Sequence, residues 1–324
     1  MRHIRLGNTE FEGRNSVYLL AGDGPTTLVD TGVGTDGVYD QLAAALADAG
    51  YETSDLDRIA LTHFHEDHAG LAGRLQRESG ADVFVHEADA PLVAGDADAR
   101  AAMTDRQREL LDEWGMPAEK QRELLDFLDT HDDIRGEPAD VTPVSDGDTL
   151  ALGPHEAEVV HLPGHAAGLA GYRVEREGRR EAFVGDALLP KYTPNVGGAD
   201  VRVERPLQTY LDSLDRIESL DLDRAWPGHR GPIFAPTLRA RDIADHHAER
   251  TERVLSVLRE RGKATPWEVS ADLFGDLHAI HVLHGPGEAY AHLNHLAHEG
   301  VVERAGREYA LTTDAETADS RLEL

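Results

Sequence analysis

Residues 61–68 read Leu-Thr-His63-Phe-His65-Glu-Asp67-His68, and no other stretch constrains the fold so tightly. Four strong metal donors fall within six positions: the imidazoles of His63, His65 and His68 and the carboxylate of Asp67. Neutral imidazole suits zinc and similar divalent ions, and carboxylate oxygen completes the donor set. On one tight loop, His63 and His65 can chelate one ion while Asp67 and His68 turn toward a second. The loop cannot complete two coordination shells alone. The fold must therefore deliver further donors from distant segments, which calls for a rigid sheet with loops gathered at one edge.

Three downstream residues stand where apolar runs give way to Gly or Pro. His165 ends His161-Leu-Pro163-Gly164-His165, Asp186 ends Phe183-Val184-Gly185-Asp186, and His229 ends Trp226-Pro227-Gly228-His229. Gly and Pro punctuate strands and set turns, so each is a donor at a strand end.

With His-x-His-x-Asp-His followed by a separate His, Asp and His, the chain resembles the metallo-β-lactamase fold superfamily, and its hydrolase branch in particular. The resemblance implies an α/β fold, a four-layer αββα sandwich. It also implies His63, His65 and His165 at one metal, Asp67, His68 and His229 at a second, and Asp186 bridging the two. Flavodiiron oxidoreductases of the superfamily carry an acid where this chain has His65, which disfavours that branch. The expected cofactor is a pair of divalent ions, zinc first, with iron or manganese accepted by the same shell. Two such ions about 3.5–4 Å apart can share a water and lower its pKa toward neutrality. The bridging hydroxide would attack a carbonyl or phosphorus, with Asp67 orienting it and Asp186 holding the ions. A ligating histidine usually donates its second ring N–H to an acceptor. Asp30, in Leu28-Val29-Asp30-Thr31-Gly32, is the candidate acceptor; the same residue could instead simply make the turn.

The chain of 324 residues has 61 acidic and 32 basic residues, a formal net charge of −29. Its only lysines are Lys120, Lys191 and Lys263. Acids are spread along the whole chain, as in a protein of a salt-rich cytoplasm; an ordinary acidic protein is the alternative. With no cysteine, disulfides and thiolate ligands are excluded. The N-terminus lacks an apolar signal region and no window is long enough to span a bilayer, so a cytoplasmic location is expected. So acidic a surface repels phosphate backbones, making nucleic acid an unexpected partner.

Residues 17–20 and 27–29 read as a hairpin, 37–50 as a helix, 58–61 as the strand feeding the metal loop, and 82–85 as another strand. Strands are expected again over 141–152, 156–162, 171–176 and 181–185, then a helix over 206–220 and a strand over 224–226. Two helices over about 100–131 form an insertion, with Leu110, Leu111 and Trp114 on one apolar stripe and Leu124, Leu125, Phe127 and Leu128 on another. They would cap the site or pack outside the sandwich. Lys191 and Tyr192, after Asp186, are candidate substrate-binding residues; the alternative is a Pro-shaped loop with an exposed lysine.

A catalytic domain over 1–235 is expected to give way to a second module over 236–311, with helices at 237–261, 263–274 and 288–299 and a hairpin at 300–311. This order resembles a winged helix. Residues 312–324 are expected to be a disordered tail. The recognition-helix position, 289–299, has no Arg or Lys, so the module reads as structural, packing on the catalytic domain or on a second copy in a homodimer. His278, His281, His284, His292, His295 and His298 are irregularly spaced and read as surface or core residues rather than a metal site.

The expected activity is hydrolysis of a small ester-like substrate, a thioester as in glyoxalase II-like members or a lactone. The alternatives are a single-strand endoribonuclease of lactamase-plus-winged-helix layout, or a DNA-binding regulator whose metal site senses. The dispersed negative charge predicts a melting temperature that rises steeply with KCl. A Tm unchanged between low and molar salt, followed by circular dichroism, would contradict it.

Overall fold

The computed structural model describes residues 1–7, 14–130, 134–313 and 315. The first sheet runs β1 (Arg2–Leu6), β2 (Asn15–Leu20), β3 (Thr27–Val29), β4 (Arg58–Ala60), β5 (Asp82–His86) and β6 (Val141–Val144), in that order. β1 to β3 are antiparallel and β3 to β6 parallel. Parallel neighbours need crossovers. These are α1 (Asp36–Ala47), then α2 (Glu66–Ala69) with α3 (Ala72–Ser79), then α4 (Ala90–Val93), α5 (Ala97–Glu113) and α6 (Ala118–Thr130).

The second sheet holds β7 (Thr149–Leu152), β8 (His155–His161), β9 (Ala170–Arg176), β10 (Arg179–Gly185) and β11 (Arg224–Pro227), ordered β11-β10-β9-β8-β7. Only β10 and β11 are parallel, joined through α7 (Pro206–Ser219).

Period-two alternation makes the layers. Val17 and Leu19 of β2, with Val83 and Val85 of β5, face α1 and α3 at Leu42, Leu46 and Leu75. Their neighbours Tyr18, Leu20 and Phe84 face the other sheet, meeting Val159, Tyr172, Phe183 and Trp226. Beyond that sheet, Val160, Ala182 and Val184 pack on Leu207, Tyr210, Leu214 and Ile217 of α7. The result is the expected αββα sandwich. Each fully buried leucine-sized side chain contributes roughly 1.5–3 kcal/mol.

The single strand expected over 141–152 is two. β6 and β7 lie in different sheets, and the chain crosses between them at Ser145–Asp148. Ser145 N donates to Asp148 Oδ2, and Gly147 takes a φ of 82°. Local apolar content cannot register a change of sheet inside one run.

After the sandwich come α8 (Pro236–Arg261), β12 (Lys263–Ala264), α9 (Pro266–Phe274), α10 (His281–His298), β13 (Val302–Ala305) and β14 (Glu308–Leu311). α9 starts on a capping box formed by Thr265 and Glu268. β12 adds a third strand to the expected hairpin, with β14 in the centre. α10 begins seven residues before the expected start at 288, carrying Pro286 within it. Burial of Val282, Leu283 and Pro286 outweighs the weak helix preference of Gly285-Pro286-Gly287. The tail expected over 312–324 lies outside the described residues, apart from 312, 313 and 315.

α8 is shared. Its Ala240 and Ile243 join the core around α7, while Val254, Leu255 and Leu258 join the cluster formed with α10, β13 and β14. The insertion is bound to the same module: Leu110, Leu111, Trp114 and Leu124 pack with Val282, Leu283 and Tyr290 of α10. Removal of residues 237–324 should therefore uncover two apolar clusters, the one around α7 and the one in the insertion, and give aggregated protein. A truncated chain that elutes as a soluble monomer on gel filtration would refute this reading of the packing.

Candidate metal centre

The ends of four strands set the site. β4 leads into His63 and His65, with Asp67 and His68 on the single turn of α2. β8, β10 and β11 deliver His165, Asp186 and His229. Two glycines permit the approach. A Cβ on Gly185, whose φ is 48°, would lie 2.6 Å from Thr62 Oγ1, and a Cβ on Gly228 would lie 2.4 Å from both Asp186 Oδ1 and His68 Cε1.

All seven residues expected from sequence come together. One ligand atom each from His63, His65 and His165 fall within 4.8 Å of one another, as do those of His63, His68 and Asp186, and those of Asp67, His68 and His229. His229 Nε2 is 3.3 Å from both Asp67 Oδ2 and Asp186 Oδ2.

Hydrogen bonds fix which ring nitrogens face inward. His165 Nδ1 donates to the Asn195 carbonyl at 2.9 Å, and His65 Nε2 donates to the Ala199 carbonyl at 3.0 Å. Their other nitrogens, His165 Nε2 and His65 Nδ1, then face each other at 3.1 Å as two lone pairs. Thr62 Oγ1 donates to Asp30 Oδ2, so it accepts from His63 Nδ1 and leaves His63 Nε2 bare. His68 Nδ1 donates to Asp30 Oδ2 at 2.9 Å, leaving His68 Nε2 bare. His63 Nε2, His68 Nε2 and Asp186 Oδ1 are buried without a hydrogen-bond partner. Buried lone pairs that converge without protons between them fit divalent cations, and the imidazole and carboxylate donors suit zinc, iron or manganese.

Electrostatics divide the imidazoles by how near each lies to Asp67 and Asp186. Burial holds the His63 imidazole well below its ordinary value, and burial with the neighbouring His65 pulls His165 down to about 4. Burial also opposes charge on His68 and His229, yet the carboxylates outweigh it: Asp67 and Asp186 raise His68, and Asp186 and Asp67 raise His229 to about 10. The centre is rich in negative charge that asks for a cation.

Asp30 does more than make a turn. Its carboxylate accepts from Thr62 N at 2.8 Å, from the Thr62 hydroxyl and from His68, so it orients imidazoles on both sides of the site. It does so from a left-handed backbone with φ of 59°. Of the two candidate substrate residues, Tyr192 lines the cavity over the site and is 45% exposed. Lys191 is exposed and not among the lining residues, yet its ammonium lies 5.0 Å from the Tyr192 ring, on a loop that Arg239 pins through the Leu189 and Tyr192 carbonyls. Arg230 does line the cavity, its guanidinium 4.7 Å from the same ring.

Several residues had no sequence signal. Asn15 Nδ2 donates to Asp67 Oδ2 at 3.0 Å. Buried Asp89 accepts from Phe64 N and Gly168 N, tying the first ligand loop to the His165 loop, and Arg202 neutralises it from 2.6 Å. The histidines of α10 divide. His284 and His281 line the cavity. His292 meets His247 and Glu288 in a buried cluster close enough to hold an ion, although Arg250 Nη1 at 2.7 Å already supplies Glu288 with positive charge. Glu288 Oε2 also accepts from Asn195 Nδ2 and Val196 N, so α10 braces the loop that orients His165. A Cβ on Gly287 would lie 2.4 Å from the Gly198 backbone, which is why a glycine interrupts this helix.

A family profile described as the metallo-β-lactamase superfamily matches residues 11–229. The chain belongs to that superfamily and is a metal-dependent hydrolase of it. It is 29% identical over 310 residues to the probable metallo-hydrolase YqjP of Bacillus subtilis (strain 168), covering 92% of each chain. It is 25% identical over 271 residues to a beta-lactamase-like protein 2 homolog of Caenorhabditis elegans, covering 83% of this chain and 74% of that one. A metallo-beta-lactamase family protein from Thermus thermophilus superposes with a TM-score of 0.81 at 33% identity, over 96% of this chain and 98% of that one.

The double orienting role of Asp30 predicts that Asp30→Asn, which keeps the turn but loses an acceptor, weakens metal binding roughly 10- to 100-fold. Chelator competition reads this directly, and an unchanged affinity would show that Asp30 serves the turn alone.

Proposed function

We propose that the chain is a dinuclear metal-dependent hydrolase of a small ester-like substrate, a thioester, as for glyoxalase II-like members of the superfamily, or a lactone. The observation that carries the reading is the set of inward lone pairs on His63, His65, His165 and His68, joined by the carboxylates of Asp67 and Asp186. His63, His65 and His165 would hold one cation, Asp67, His68 and His229 the other, with Asp186 between them. Such cations supply Lewis acidity, bringing the pKa of water toward neutrality and polarising a carbonyl.

The protein's own groups do the rest. Asp67, fixed by Asn15, orients the attacking oxygen. Tyr192 offers a phenolic donor to the substrate carbonyl. The cavity measures about 870 Å³, and Leu92, Met103, Leu125 and Leu283 give it an aliphatic wall that excludes water from an acyl chain. α5 and α6 act as the cap. We read the C-terminal module as a winged helix kept for structure: no arginine or lysine lies on α10 and its face is buried against α6, α7 and α9. Among the described residues no helix is long and apolar enough to cross a membrane. A salt-rich cytoplasm and homodimerisation through the module complete the reading.

Asp186→Ala and Asp67→Ala should each lose bound metal, measured by elemental analysis, together with at least 100-fold in turnover on a panel of acyl thioesters and lactones. Full turnover in either variant, or turnover of wild-type protein that survives exhaustive chelation, would end the mechanism.

A further inference from the structure

The cavity walls reverse the charge of the chain. Across the sequence acids outnumber bases 61 to 32, yet four arginines line this one cavity: Arg100, Arg108, Arg135 and Arg230. Apart from Asp67 and Asp186, whose charge the metal centre would absorb, the lining carboxylate among the described residues is Glu66, and Arg135 stands 3.6 Å from it. Arg108 shares its charge with Asp105 at 3.4 Å. Arg100 and Arg230 have no carboxylate partner among the described residues.

Helical spacing makes this a built feature. Arg100, Met103, Thr104, Gln107 and Arg108 recur at intervals of three and four along α5, so one face of the cap presents cations and a methionine to the same space. Arg230 follows His229 directly, so its guanidinium starts one residue from the metal centre and lies against Tyr192. An arginine left unpaired in so acidic a chain is a forgone ion pair, and it presents donors matched to planar or tetrahedral oxyanions.

We propose that the substrate of this site carries a fixed negative charge, a carboxylate or phosphate, bound by Arg100 and Arg230, and an aliphatic acyl group bound by the wall between them and the metals. The proposal rests on the hydrolase reading above and narrows it to anionic acyl esters. Polymeric RNA fits less well, because single strands are held along an open basic groove, whereas here the arginines sit in one cavity beside Leu92, Met103, Leu125, Ile134, Ile280 and Leu283, and the chain outside it is acidic.

The test compares hexanoyl thioesters of coenzyme A, which is anionic, and of N-acetylcysteamine, which is neutral, on the metal-loaded protein in molar KCl. At that salt the screening length is about 3 Å, so only direct contacts discriminate. Wild-type protein should favour the anionic thioester at least tenfold in kcat/KM, through KM. Arg100→Gln with Arg230→Gln should bring the preference below threefold at unchanged metal content. Equal kcat/KM for the two thioesters in wild type, or an undiminished preference in the double variant, would overturn the proposal and leave the hydrolase reading standing. Turnover of neither by fully loaded protein would count against the thioesterase reading instead. Calorimetric titration of coenzyme A then decides the charge site: binding weakened at least tenfold in the double variant supports it, and equal or absent binding overturns it. Cleavage of labelled single-stranded RNA that the double variant loses would place the charge on a phosphodiester and overturn the small-substrate class.

Discussion

Facing lone pairs on His65 and His165, 3.1 Å apart in a buried setting, are the constraint on which the rest of the structure turns. Two imidazole nitrogens at that distance repel unless something positive lies beside them. Each is held there because its other nitrogen is committed to a backbone carbonyl, Ala199 for His65 and Asn195 for His165. The repulsion is thus stored by the scaffold. The sandwich, the glycines at 185 and 228, and the Asp89–Arg202 tie all serve to keep donors converged that would separate if left alone.

Much of this was legible in the chain. The ligand loop names its own chemistry, and the three later donors follow Gly residues that mark strand ends. Short apolar runs bounded by turn residues gave the strands, and the resemblance to the superfamily supplied the four layers. What the sequence hid were features that depend on two distant segments at once. Residues 141–152 look like one strand because both halves are apolar, yet each half pairs in a different sheet. Gly285-Pro286-Gly287 looks like a break, yet packing carries α10 through it. Lys191 stands out in the sequence because it is rare, whereas the cavity lining beside Tyr192 includes Arg230, a residue one position past a ligand and unremarkable among many arginines. The grouping of His247, His292 and Glu288 needs two helices to meet, and no spacing within either announces it.

The C-terminal module also gains a meaning that its helix order alone does not convey. Its α10 presents His281, His284 and Leu283 to the cavity and packs against α5 and α6 of the insertion. Sandwich, insertion and module therefore enclose one space, and the walls of that space belong to all three.

The brace between Glu288 and the 195–196 segment has a consequence for how such proteins diversify. Because that segment orients His165 and stands backbone to backbone with Gly287, the appendage cannot be traded for another without disturbing the coordination of the ion it supports. Hybrids that join this sandwich to a foreign tail should inherit a loosened centre even where every ligand is retained. Ligand set and appendage form one mechanical unit, and the insertion is tied to it through α10.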